Sequence, residues 1–419
     1  MSAIKNNDSA ASLTKAWLIF AIIAPVYLCT MFYRMAPTVL ALDIAADMSF
    51  SASDMAMIGA ATMLGYGLMQ LPSGLLSDWL GGKATLTLFT LLVGLSTIWF
   101  GLSGSLTSVT CARFITGIGI AATIPCLSIL ARWFPAGMYA RVSGIMFACG
   151  TCGTIIASTP LAAASNLWGW RSAVIACGAF SLALAAMVLF FVKNAPAGAA
   201  ETKKAEAPRI SLLEGLRTVL SSRHFWTLCI AYSCLLIVYF GFAGLWWGPY
   251  LMQGCGLTKL EAGNILFLGT VISIPAMPIL TTISDKIRSR KKVMVVCILV
   301  AFLDMLVMTL FPGQLSKPML VILAVVFTSA CGTSAIGLTS GKELFPIAIM
   351  GTATGCLNSL PALLAAGEQK IFGYILQSTE AFAAGDFAAA YSTAMMFNMA
   401  LLAISVVVVF FIKETYPQD

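Results

Sequence analysis

Five ionisable residues interrupt otherwise apolar stretches of the chain: Arg34, Arg113, Asp304, Glu368 and Lys370. A charged side chain inside a membrane-spanning helix costs at least roughly 2.5–3.5 kcal/mol on insertion scales, so it normally faces a polar cavity or a partner. Arginine can grip a carboxylate or a phosphate through two parallel hydrogen bonds, which makes Arg34 and Arg113 candidates for holding an anion. Lys370 adds a third positive charge. Glu368 is the candidate proton carrier, because an ionised carboxyl in apolar surroundings is costly unless a cation offsets it. Glu368 and Lys370 stand two residues apart and so do not share a helix face. Which cation neutralises Glu368 stays open at this level.

Long helices must carry these groups. The 419 residues are 59% hydrophobic and 10% charged, whereas soluble domains carry about 25% charged residues. Mean hydropathy is +0.93. The chain therefore reads as an all-α integral membrane protein. Apolar runs of spanning length predict twelve helices, at 17–42, 54–77, 84–103, 107–131, 139–163, 170–192, 224–251, 261–284, 292–311, 319–341, 347–377 and 390–412. The runs are too long for the strand pattern of a barrel. The first is too long for a typical signal-peptide core and lacks a small-residue cleavage site, so it reads as a retained helix. Nearly all the 12 cysteines fall inside apolar runs and read as small core residues, including Cys149 and Cys152 with their CxxC spacing. His224, the single histidine, reads as an interfacial residue at a helix start. Trp246, Trp247 and Tyr250 read as an interfacial aromatic belt.

Lysine and arginine set the orientation. With the N-terminus cytoplasmic, nearly all basic residues outside the spans fall on the inner side, and only Arg171, Lys259 and Lys317 fall in outer loops. The net charge of +7 thus reflects topology rather than nucleic-acid binding. Helices 1 and 11 then run outward and helix 4 inward, which places Arg34, Lys370 and Arg113 at comparable depth in the outer half. Three cations at one depth repel unless anions neutralise them; Glu368 supplies one, and substrate or water the rest. Tyr33, Tyr66, Gln70, Tyr239 and Asn358 can complete a pocket. The expected organisation is a cytoplasmic tail at 1–16, a six-helix bundle at 17–192, a cytoplasmic linker at 193–223, a second bundle at 224–412 and a tail at 413–419. Residues 211–220 can form a short amphipathic surface helix.

The two halves repeat. Phe134-Pro135 recurs as Phe345-Pro346, 211 residues on, and the same offset carries Gly144 onto Gly355. Asp78, after the second helix, recurs as Asp285 after the eighth. The loop Gly74-Leu-Leu-Ser-Asp78-Trp-Leu-Gly81-Gly82-Lys83 resembles the conserved loop of the major facilitator superfamily, and Thr281–Lys291 stands as its degraded second copy. Arg113-Phe-Ile-Thr-Gly117-Ile-Gly119-Ile-Ala-Ala122 is similar to the family's fourth-helix motif, with Thr116 where a glutamine is common. Trp168-Gly-Trp-Arg171 is also similar to a family feature.

The resemblance covers the whole chain and implies two six-helix repeats around a central cavity lined by helices 1, 4, 7 and 10, with 2, 5, 8 and 11 beside them. Arg34, Arg113, Glu368 and Lys370 then fall on cavity-forming helices, and Asp304 on a peripheral one, where it reads as structural. Arg113 would also tune proton coupling. Gly74, Asp78, Lys83 and Asp285 would form gating latches, with Gly74 allowing close helix approach. Helix 5, Gly144–Gly153, has no Gly-Pro pair, which counts against drug export; helix 7 carries no charge, which counts against phosphate esters. The expected function is alternating-access transport of a small organic anion or zwitterion (a carboxylate, an amino acid or a short peptide). It would be driven by proton symport or anion exchange, by a monomer in a bacterial inner membrane with both termini cytoplasmic, with no cofactor or metal. A proton-coupled multidrug exporter and a non-transporting membrane receptor are the alternatives; no nucleophile or His/Asp/Glu constellation suggests an enzyme.

Overall fold

The computed structural model describes residues 2–196 and 212–416, so the middle of the expected linker, 197–211, lies outside the described residues. Among those described, twelve long helices follow one another: α1 Leu13–Met35, α2 Ala52–Trp79, α3 Gly82–Leu102, α4 Leu106–Trp133, α5 Gly137–Ile156, α6 Trp170–Phe191, α7 Arg223–Gly254, α8 Lys259–Lys286, α9 Arg290–Leu310, α10 Lys317–Glu343, α11 Ile349–Ser378 and α12 Phe387–Val409. Eleven are long and apolar enough to cross a membrane. The other, α2, is diluted by four glycines, Gln70 and Tyr66, and it packs along α11 in the middle of the molecule. Leu212–Leu220 forms the expected short helix, with Gly215 against Thr352 of α11.

Several helices are broken at mid-depth. Pro37 has no N–H to continue α1 and its ring clashes with the preceding turn. The chain breaks at Ala36 and resumes as Pro37–Met48. The fourth and tenth helices break at related places, Ile120–Ala122 and Gly332–Thr333. In α7 the turn widens to a π-helix over Tyr239–Trp246 and again over Tyr250–Gly254. Such bulges free backbone carbonyls, which must find partners in the protein when the span lies in lipid. Here Thr38 Oγ1 donates to the Ala243 carbonyl at 2.9 Å and Gln369 Nε2 to the Phe240 carbonyl at 3.1 Å.

Close helix contacts rest on small residues, as expected in lipid. A methyl group added at Gly117 would strike the Thr62 carbonyl of α2, and one at Gly153 the Leu28 carbonyl of α1. Gly74 is not of this kind. A Cβ there would lie 3.8 Å from Ile124, an ordinary contact, so the close approach expected at Gly74 does not occur in this conformation. The repeat is visible in the backbone: Gly81 has φ +84°, and Arg288, its counterpart 207 residues on, holds φ +49° without being glycine. The expected aromatic belt is also corrected. Trp246, Trp247 and Tyr250 are at most 3% exposed, because they turn inward against Phe372, Phe327 and Tyr391 of α11, α10 and α12.

Candidate functional site

Arg34 occupies the last turn of α1, just before the break. A cation is favoured there by the partial negative charge of the helix C-terminus. It is 4% exposed. Its guanidinium carbon lies 4.1 Å above the Tyr66 ring and 5.0 Å from that of Phe240. Both contacts are cation–π in kind and together only partly replace water. Nε and Nη2 have no hydrogen-bond partner, and no ion pair among the described residues includes Arg34.

Beside Arg34 a pocket opens between the two halves of the molecule. Thr38 lines it from the continuation of α1, Thr154 from α5 and Ser158 from just beyond the end of α5; Tyr239, Thr270 and Thr328 line it from α7, α8 and α10. Met35 and Trp247 add apolar wall, and no charged side chain lines it. In this conformation it has room for only a few water molecules, so any larger occupant enters by parting the halves.

The other sequence candidates are dispersed around this centre. Arg113 is 4% exposed, but its Nη2 donates to the Tyr33 carbonyl at 3.3 Å, and it lines a separate, largely apolar cavity with Thr97 and Phe100. Tyr33 turns its hydroxyl to α6, 2.7 Å from the Cys177 carbonyl and 2.8 Å from Ser181. Lys370 is exposed on the outside of α11, and Asn358 is half-buried on the same helix. Glu368 is 2% exposed with neither carboxylate oxygen partnered; it faces Gly241 of the α7 bulge and Asn398 of α12. No ion pair joins Glu368 to Arg34. Asp304, on α9, is 3% exposed and likewise has both oxygens unpartnered.

At the loop ends, Asp285 binds Arg290 at 2.6 Å, and Arg290 reaches Glu343 at 3.2 Å, so one arginine ties the ends of α8, α9 and α10 together. Glu414 caps the start of α9 through Ser289 and the Arg290 N–H. Burial alone would raise its carboxyl, but the hydrogen bonds from Ser289 and from the N–H groups of Tyr416, Arg290 and Lys291 hold it below the ordinary range. Asp78 is exposed at the end of α2, and the Lys83 N–H donates to Asn194 at 2.8 Å.

Two contacts between the halves have no counterpart among the sequence candidates. Gln369 is wedged between α2 and α7, where a Cβ on Gly59 would meet its Oε1 at 2.6 Å. At the end expected to face outward, Lys259 of α8 lies 2.5 Å from Asp43 and 3.1 Å from Ser165, which itself donates to Asp43 at 2.7 Å. Gln369 carries no charge and so gives no sequence signal. Lys259 gives one, as one of the few basic residues expected on the outer face. Its ion pair is half-buried, worth about 1 kcal/mol by comparison with measured exposed pairs. Lys259→Met is therefore expected to raise hydrogen exchange across Pro37–Met48 about fivefold. Unchanged protection there would show that the pair does not hold the outer side closed.

Comparison with known proteins places these features. A profile described as the Major Facilitator Superfamily matches residues 23–367. A protein of Agrobacterium vitis named as a tartrate transporter is 25% identical, over 90% of this chain and 89% of its own. A protein of Escherichia coli (strain K12) named as an L-galactonate transporter is 24% identical, over 81% of this chain and 79% of its own. Among solved structures, a bacterial homologue of the human lysosomal transporter Spinster, inward-facing and unoccupied, superposes with a TM-score of 0.78 at 17% identity, covering 95% of this chain and 97% of that one. That likeness speaks for the fold.

Proposed function

Because the chain belongs to the Major Facilitator Superfamily, and is thereby a membrane transporter rather than an enzyme, we propose that it carries a small organic anion across the membrane through the pocket beside Arg34. The observation that carries this reading is a buried guanidinium with two unpartnered nitrogens next to a cavity between the halves. A buried cation without a counter-charge is costly, and a substrate carboxylate supplies one. The two relatives named for tartrate and L-galactonate transport support a carboxylate.

Alternating access fits the asymmetry of the contacts. The outer ends of the halves are bound by Lys259, Asp43, Ser165 and the Thr159–Asn264 bond at 2.8 Å. On the other side, the inner segment of α8, Ala276–Lys286, buries only Ser284, and α2 and α11 meet there through apolar contacts such as Leu71 against Gly355. Glu368 is the proton carrier in this reading, and the tails and the linker face the cytoplasm of a bacterial cell, as the basic loops indicate. A positively charged centre disfavours export of cationic drugs.

A thermal-shift screen of the purified protein tests the substrate class. Carboxylates should raise the melting temperature, since ligand bound only to the native state stabilises it by mass action, and amines should not. Stabilisation by cationic amphiphiles alone would overturn the anion reading.

A further inference from the structure

The pocket beside Arg34 has an unusual balance of groups: several hydroxyls in its lining, and one cation, Arg34, behind its wall. The Thr38, Ser158 and Thr270 hydroxyls already donate to backbone carbonyls, to Ala243 at 2.9 Å, Ile155 at 2.6 Å and Leu266 at 2.9 Å. They are left with lone pairs to accept. Thr154, Tyr239 and Thr328 make no hydrogen bond among the described residues, so their hydroxyls can donate or accept toward the pocket. Acceptors and uncommitted hydroxyls contributed by both halves match a chain of alcohol groups, each of which both donates and accepts.

The charge count narrows the occupant further. Arg34 stands behind the pocket wall: the next residue, Met35, lines the pocket, and the Arg34 guanidinium lies 5.0 Å from the ring of Phe240, the neighbour of the lining Tyr239. Arg113 is turned to the Tyr33 carbonyl in its own cavity, and Lys370 faces outward. One buried positive charge compensates one carboxylate. A second carboxylate would sit among neutral hydroxyls with no cation, and burying it unpaired is strongly unfavourable. A neutral sugar would leave Arg34 unpaired, and a plain fatty acid would leave the hydroxyls unpaired.

We propose that the site selects a polyhydroxylated monocarboxylate, the aldonate class, over the corresponding dicarboxylate, with Thr154, Tyr239 and Thr328 reading the hydroxyls and Arg34 the carboxylate. This rests on the anion-transport reading above. It divides the labour within the site between charge and hydroxyl recognition, and it separates two acids that differ only in the oxidation of one end.

The test is binding of D-gluconate, D-glucarate, hexanoate and D-glucose to the purified full-length protein by calorimetry at neutral pH. D-Gluconate should bind at least tenfold more tightly than each of the others. Thr154→Val and Thr328→Val should each weaken D-gluconate by about fivefold to tenfold, the usual scale for one lost hydrogen bond, while leaving weak hexanoate binding unchanged. Thr154→Ser and Thr328→Ser should retain the affinity and show that the fold tolerates the change. D-Glucarate binding as tightly as D-gluconate would overturn the single-charge argument. Equal affinity for hexanoate, or valine variants that bind D-gluconate normally, would overturn the hydroxyl argument. Failure of every carboxylate to bind, with Arg34→Gln indistinguishable from wild type, would instead overturn the anion reading, and the proposal with it.

Discussion

Arg34→Gln should weaken carboxylate binding at least 30-fold while leaving the empty protein as stable as the wild type, or more so. The two effects have one cause. In the empty protein the guanidinium is buried beside Tyr66 and Phe240 with two unpartnered nitrogens, so its charge is a standing cost that a neutral amide removes. In the occupied protein the same charge is answered by the substrate. Truncating one partner of a buried charge pair typically costs about 2–5 kcal/mol, or roughly 30-fold and upward in affinity. Arg34→Lys should recover only part of the loss, since an ammonium cannot lie flat over Tyr66 or grip a carboxylate with a planar fork. Calorimetry and thermal unfolding on the same preparations check both halves of the expectation. A destabilised variant with normal affinity would make Arg34 a structural residue.

Glu368→Gln should abolish accumulation driven by a proton gradient and preserve exchange at equal concentrations. Glu368 is buried against Gly241 and Asn398 without a cation, and both its oxygens lack partners. An ionised carboxylate held there would be costly, so its charge state is tied to conformations that admit water or a counter-ion. Glutamine fills the same space and cannot release a proton. If one proton accompanies one monoanion, the cycle is electroneutral, and one pH unit supports about tenfold accumulation, equivalent to ~1.4 kcal/mol. The variant should bring that ratio to about one, with counterflow intact. Undiminished accumulation in Glu368→Gln would place the coupling group elsewhere.

The helices were legible because lipid imposes a plain rule: about 20 apolar residues per span, basic residues on one side. The positions of the ionisable residues along those helices were legible for the same reason. Their facing was not. Glu368, Gln369 and Lys370 are consecutive, yet one faces the α7 bulge, one wedges between α2 and α7, and one faces outward. Rotation about a helix axis is normally read from a polar stripe, and a helix apolar all round has none. Lys370 therefore read as a neighbour of Arg34 on depth alone.

The π-helical turns of α7 were equally hidden, since the stretch Tyr239–Trp246 reads as ordinary apolar helix. Those turns place Gly241 opposite Glu368 and carry Tyr239 to the pocket wall. Thr154, Thr270 and Thr328 were passed over because threonines in spanning helices usually bond their own backbone. Thr270 does so, and Thr154 and Thr328 make no such bond among the described residues. The break at Pro37 was passed over, since the first apolar run read as one helix over 17–42, but the cation placed just before it stood out in the sequence.

The central claim is that a carboxylate crosses the membrane through the site beside Arg34. Uptake of labelled D-gluconate into proteoliposomes under an inward proton gradient tests it most directly. Wild-type protein should accumulate the label and Arg34→Gln should leave it at the level of empty vesicles. Wild-type rates of D-gluconate uptake by Arg34→Gln would contradict the account.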